Sequence, residues 1–286
     1  MLLFAIYFIL YKRNHNVTNS LTERKNMILF YILAFIIGLF FIIRDEIKKK
    51  QHRKENVEKW ERQQEELQKH KEEQLKEYYA SDYYKCTGLS LQQVYTDDGK
   101  RGEFQIYRRL KYLERDGTKF LFNIYIPKKD GTTTEIDTLM ICKKGVVVFE
   151  SKNYGGWIFG DEDSKNWCQV LPDHGYRSQK FHFYNPVKQN ASHIYHLSNY
   201  IGKSVPMHSI VVFADGCEFK FNKNEIKSAT VDYYCNLVSA WRSKIECKPD
   251  CLSDEWCQAI YDKLLQCVQV DETIKKQHIE DIKRYK

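Results

Sequence analysis

No two cysteines of this chain stand at the C-x2-C spacing that opens most structural zinc sites, and their number, nine, is odd. The closest group, Cys247, Cys251 and Cys257, is spaced C-x3-C-x5-C and has no clear fourth ligand. A disulfide framework and a zinc module are therefore disfavoured, and reduced thiols in a cytosolic domain are expected, several of them packed in cores. Strong charge is missing as well. The formal net charge is +7 over 286 residues, with 43% hydrophobic and 29% charged side chains. So mild a basic excess permits a nucleic-acid partner without requiring one. The chain has room for one sizeable folded domain plus extras.

Charge is wholly absent from residues 27–43, MILFYILAFIIGLFFII. As a helix this stretch spans about 25 Å, the short end of what a bilayer core accepts, and it is read as a membrane span. An earlier apolar run, 2–11, is too short to cross comfortably and lacks the basic region that precedes a secretory signal. It is read as a possible short first span, the two making a hairpin. Arg44, Lys48, Lys49, Lys50, Arg53 and Lys54 follow the main span, against Lys12, Arg13, Arg24 and Lys25 before it. The positive-inside rule then places the C-terminal side in the cytoplasm of a cell-membrane protein.

Residues 44–85 are dominated by Lys, Glu, Gln and Arg, with Glu46/Lys50, Glu58/Arg62, Glu65/Lys69 and Glu72/Lys76 in the favourable i,i+4 order. Val57, Trp60, Leu67 and Tyr78 hint at a seam, but Gln64, Lys71 and Gln74 interrupt it. A solvated helical spacer is expected rather than a strong coiled coil.

Past Gly88 the texture changes to short apolar runs separated by turn residues. A helix is expected over 102–113, strands over 119–126, 134–141 and 145–152, a helix over 185–201, a strand over 208–215 and a helix over 254–268. Asn185 is placed to cap the second helix, with Pro186 in its first turn. Residues 153–184 read as a polar loop. Strands mixed with helices at these lengths indicate an α/β or α+β domain.

The strand GVVVFESK, 145–152, ends in an acid and a base one residue apart. Its hairpin with 134–141 turns through Lys143 and Lys144. If Cys142 faces Gly145, Asp137 lies directly across from Glu150, with Cβ atoms about 5 Å apart; a three-residue loop would shift the register by one. Lys152 shares the face of Glu150 and Ser151 points away. Two adjacent carboxylates repel, and one divalent cation bridging them would relieve the repulsion. Mg²⁺ favours oxygen ligands and keeps waters, one of which Lys152 could orient as a nucleophile or help deprotonate. Taken alone, Glu-x-Lys at a strand end is a common surface pattern, and Asp137 could cap a turn. His193 and His196 read as packed or surface residues, Trp157 and Trp167 as packing, Lys143 and Lys144 as a solvated turn.

The order of the parts is more specific. Gly102-Glu103 opens a helix; Glu135-Ile136-Asp137, Glu150-Ser151-Lys152-Asn153 with Gly155-Gly156, Trp167, and Asn185-Pro186 with Gln189 and His193 follow. Over about residues 101–215 this resembles the nuclease-related domain, a branch of the PD-(D/E)xK restriction-endonuclease-like superfamily. The resemblance implies a mixed sheet flanked by helices. It implies Asp137 and Glu150 as ligands of Mg²⁺ or Mn²⁺ and Lys152 as the catalytic lysine. It implies further that Glu103 adds an acidic group and Gln189 faces the site. Ile136 stands where the name-giving proline would be, and Glu135 is an alternative ligand. The expected layout is an anchor in 1–43, a spacer in 44–85, the nuclease-like domain in 90–215 and a mostly helical extension in 216–286. The expected activity is phosphodiester hydrolysis of DNA by a membrane-anchored enzyme. The competing expectation is a membrane-tethered scaffold that binds nucleic acid or protein through the same fold without cleaving.

Overall fold

The computed structural model describes residues 21–172, 178–268 and 270–284. The expected first span, 2–11, lies outside them. The chain divides into two units, Met1–Glu73 and Gln74–Lys286.

The first unit is built on helix α1, Leu21–Ala80. Its large apolar side chains from Ile28 to Ile43 are exposed. Among the described residues this is one helix long and apolar enough to cross a membrane. Further along, Lys49 pairs with Asp45 at 3.0 Å and Lys54 with Glu58 at 3.9 Å, all four well exposed. Such pairs contribute only tenths of a kcal/mol, about 0.3–0.5 each. Val57, Trp60 and Leu67 are exposed too.

In the second unit three short helices lead to the sheet: α2 (Asp82–Thr87), α3 (Leu91–Thr96) and α4 (Asp98–Leu110). Ser81, Ser90 and Asp97 cap them in turn. The Asp97 cap starts α4 earlier than the apolar spacing alone suggests. Tyr78 and Tyr83 are buried in the main core, Tyr83 with its ring 4.8 Å from that of Phe122. The core therefore begins ahead of residue 90.

The main sheet contains β1 (Lys119–Pro127), β2 (Thr133–Cys142), β3 (Gly145–Lys152), β7 (Met207–Phe213) and β9 (Thr230–Tyr233), in the order β1-β2-β3-β7-β9. The first three are antiparallel; β3, β7 and β9 run parallel. Val146 to Phe149 and Ile210 to Phe213 are all buried, as parallel strands covered on both faces require. Helix α5 (Pro186–Ile201), capped by Asn185, packs on β3 and β7.

Residues 153–184 are not a loop. They carry β4 (Gly156–Phe159), β5 (Asn166–Leu171) and β6 (Gln179–Tyr184), which join β8 (Cys217–Phe219) in a second mixed sheet, β6-β5-β4-β8. Its inner face forms a separate cluster around Ile158, Trp167 and Phe213, the last two rings stacked 5.9 Å apart. Residues past 215 contribute β8 and β9, then α6 (Leu237–Trp241), α7 (Asp254–Leu265) and α8 (Glu272–Arg284). The architecture is the expected α/β class, with two mixed sheets flanked by helices.

Candidate active site

β2 and β3 pair Cys142 with Gly145 and Thr138 with Phe149, so the two-residue turn through Lys143 and Lys144 sets the anticipated register. The ladder stops one step short of Asp137 and Glu150. Gly145 has φ +119, and a Cβ there would strike the Pro206 carbonyl, so the turn needs glycine. Beyond the hairpin, β3 runs on beside β7, with Glu150 opposite Val211 and Lys152 opposite Phe213. The polar end of β3 is thus held by a buried neighbour rather than left to fray.

Glu150 is 2% exposed. Its Oε1 lies 2.6 Å from Lys152 Nζ and its Oε2 3.6 Å from His193 Nε2. Lys152 Nζ also donates to Gln189 Oε1 at 3.1 Å. Burial pushes the Glu150 carboxyl up, but Lys152 and His193 outweigh it and hold the group below the usual range. Burial likewise pulls Lys152 down, and Glu150 more than offsets it, so the ammonium is kept. His193 Nδ1 shares a 2.7 Å hydrogen bond with Thr134 Oγ1.

Asp137 is held differently. Burial and then the Glu150 charge push its carboxyl up to about 6. Glu103, 3% exposed, is pushed up to about 8 by burial and by Asp137, with Lys100 partly opposing. Lys100 Nζ donates to Glu103 Oε1 at 2.9 Å and to Asn123 Oδ1 at 2.7 Å. Asn123 adopts φ +52 inside β1, a left-handed conformation that asparagine tolerates. Glu103 Oε2 is buried with no hydrogen-bond partner. Gly102 lets α4 approach β3, because a Cβ there would clash with Ser151 Oγ and Tyr234 Oη.

Of the residues singled out in the sequence, Glu150, Lys152 and Gln189 touch directly, and Asp137 and Glu103 share their electrostatic field. Glu135 turns to Tyr125, whose hydroxyl donates at 2.7 Å, and lies 3.7 Å from His278 of α8. Lys143 and Lys144 are not a free turn, since they pair with Asp254 at 2.9 Å and Asp250 at 2.7 Å. Cys251 Sγ donates to Lys143 O and Cys247 Sγ to Ser243 O, while Cys257 is buried. His193, quoted with Gln189 for the resemblance but read as a packed or surface residue, reaches Glu150; it stands four residues after Gln189 and so shares its helix face. Asn190 was missed. Fully buried, it donates to Val148 O and Ser209 Oγ, both at 2.9 Å, and pins α5 to β3 and β7.

Among the described residues no three His, Cys, Asp or Glu side chains already stand as a chelate. The chemistry of the donors nonetheless fits a hard divalent cation. They are carboxylate oxygens, one of them orphaned at Glu103, and Asp137 and Glu103 are both destabilised as anions by crowding and burial.

The nuclease-related domain family model matches residues 98–214, which encloses Glu103, Asp137, Glu150, Lys152 and Gln189. An uncharacterized protein of Bacillus anthracis is 33% identical over 181 residues, covering 63% of this chain and 82% of that protein. No solved structure matches. With this architecture, this order of acidic and basic side chains and these two similarities, the chain belongs to the nuclease-related domain family.

Proposed function

We propose that this chain is a membrane-anchored nuclease that hydrolyses phosphodiester bonds of DNA with Mg²⁺ or Mn²⁺. The observation that carries the reading is the contact chain Glu150–Lys152–Gln189 beside the raised carboxyl of Asp137. Asp137 and Glu150 would hold the cation, with Glu103 Oε2 available to it or to a water. The cation would supply Lewis-acid polarisation and charge neutralisation at the scissile phosphate. Lys152, kept protonated by Glu150, acts as a donor that orients the nucleophilic water or the phosphate oxygen, not as a base. Gln189 fixes the direction of the ammonium. In the proposed layout residues 1–43 are the anchor, 44–85 the spacer, whose end brings Tyr78 and Tyr83 into the core, 90–215 the nuclease-like region and 216–286 its extension, which adds β9 to the main sheet. Exposed apolar side chains from Ile28 to Ile43 support the bilayer, and the basic run from Arg44 supports a cytoplasmic catalytic side.

A second reading, a tethered scaffold that binds without cleaving, is favoured by the engagement of both Glu150 oxygens with Lys152 and His193. The two separate in one assay. Full-length protein in detergent is incubated with plasmid and single-stranded DNA in Mg²⁺, Mn²⁺ or EDTA, beside Asp137→Ala and Lys152→Ala. Metal-dependent cleavage abolished by both substitutions supports the nuclease and its site. Cleavage surviving both sinks the assigned residues, and binding without cleavage sinks the nuclease in favour of the scaffold.

A further inference from the structure

The second sheet has an inner face that packs and an outer face that carries exposed rings. Register assigns the residues. Trp157 pairs with Val170 and Val170 with Lys180; Phe159 pairs with Cys168 and Cys168 with His182; Asn166 pairs with Tyr184. Directly paired residues share a face, and residues two apart along a strand share it too. Trp157, Phe159 and Tyr184 therefore stand on one face together with Lys180 and His182. Ile158, Trp167 and Phe183 point the other way, into the cluster around Phe213.

The outer rings are accessible: Trp157 is 38% exposed, Phe159 41% and Tyr184 47%. Lys180 and His182 are exposed on β6, with the buried Val170 and half-buried Cys168 of β5 between them and the β4 rings. Lys220 joins this group, its Nζ 5.2 Å from the Trp157 ring centroid. Opposite β4 the face carries Glu218, which is paired with Lys220. Large apolar rings left in water cost free energy that a folded protein ordinarily avoids by packing.

We propose that this outer face is a stacking platform for single-stranded nucleic acid. The inference rests on the nuclease reading for its setting and names the substrate form that reading leaves open. Exposed aromatics sharing a face with lysines match bases by their π-faces and phosphates by charge, without needing sequence. A duplex hides its base faces in its own stack, so the rings select unpaired strands. A protein partner fits less well, because lysine is depleted from the centres of protein interfaces. An arriving base takes the Trp157 ring, and Lys220 moves from the ring to the adjoining phosphate. The chain path supports the assignment. β4 starts four residues after Lys152, and Tyr184 at the end of β6 directly precedes Asn185, the cap of the helix that carries Gln189.

The test uses the full-length chain in detergent with EDTA, so that binding is read without cleavage. The probes are a fluorescein-labelled oligo(dT) and a hairpin duplex carrying the same label. Single strands are expected to bind more tightly than duplex. Trp157→Ala/Phe159→Ala weakens single-strand binding about tenfold or more, and Trp157→Phe retains most of it. Duplex bound as well as single strand, or the double alanine variant binding as wild type with its melting temperature unchanged, overturns the platform. Should that double variant instead lose self-association or a protein partner while keeping the oligonucleotide, the face is a protein interface and the proposal fails. The two readings fail separately. Ring-dependent binding without Mg²⁺-dependent cleavage leaves the platform and sinks the nuclease, whereas cleavage with ring-independent binding does the reverse.

Discussion

Replacing Glu103 with glutamine should make the metal-free protein more stable at pH 8. Burial and the Asp137 charge raise the folded-state carboxyl from 4.5 to about 8. A carboxyl raised in this way binds its proton more tightly when folded than when unfolded. Its unfavourable contribution is absent below pH 4.5, grows as pH rises, and levels off above 8. Between pH 6 and pH 8 that growth is about 2 kcal/mol, which for a domain of this size lowers Tm by on the order of 5 °C. Asp137, raised only to about 6, completes most of its change earlier, and Glu150, held low, contributes fully throughout this window. Titrating histidines tilt both proteins alike, so the quantity to read is the difference between two curves. Thermal denaturation in EDTA from pH 6 to pH 8 should show the wild type losing on the order of 5 °C relative to Glu103→Gln. Mg²⁺ should then raise the wild-type Tm more at pH 8 than at pH 6, since it competes with the proton for the same oxygens. Parallel curves for the two proteins between pH 6 and pH 8 would refute the account of Glu103.

Gly102→Ala should lower stability by about 1–3 kcal/mol, read in a urea melt, because the new methyl meets Ser151 and Tyr234 where helix and strand touch. Asn190→Ala leaves the carbonyl of Val148 and the hydroxyl of Ser209 without their donor; about 1–3 kcal/mol should be lost, and a denaturation midpoint equal to wild type would contradict it. On the proposed mechanism Gln189→Ala should lower kcat and kcat/KM together by about tenfold in initial-rate cleavage assays, through loss of its hydrogen bond with Lys152. Tyr83→Ala should cost about 3–5 kcal/mol in the same melt, as for other large buried aromatics, marking the helices before residue 90 as part of the folding unit.

Four strands of the main sheet were legible as largely apolar runs bounded by turn residues, and β3 matches its expected limits at both ends, whereas β9, the four residues TVDY, fell in a stretch expected to be mostly helical. The hairpin register followed from a turn too short to allow much else. The second sheet was hidden for a physical reason. β4 has four residues, GWIF, and is apolar on both faces, so no alternation of apolar and polar side chains announces a strand. Glu150 and Lys152 could be picked out because charge at the end of a buried strand is conspicuous, and Asp137 because the hairpin register sets it across from Glu150. Lys100 could not, since a lysine in the first turn of a polar helix looks solvated. Its reach to Asn123 depends on a left-handed residue within β1, for which the only sign was an asparagine interrupting FLFNIYI.

Lys152 and Gln189 touch across 37 positions of chain, and the intervening stretch carries β4, β5 and β6, whose inner face packs on Phe213 of β7. The contact is therefore closed by a structured insert rather than a slack loop, and the ends of that insert are clamped by β3 and by the capped start of α5. Such an arrangement behaves as a cassette. The outer strands can change in length or surface while the clamped ends, and the geometry between ammonium and amide, stay where they are. Changes to the outward residues of β4 to β6 would leave that geometry in place, whereas changes to Ile158 or Trp167 would uncover Phe213, the β7 neighbour of Lys152.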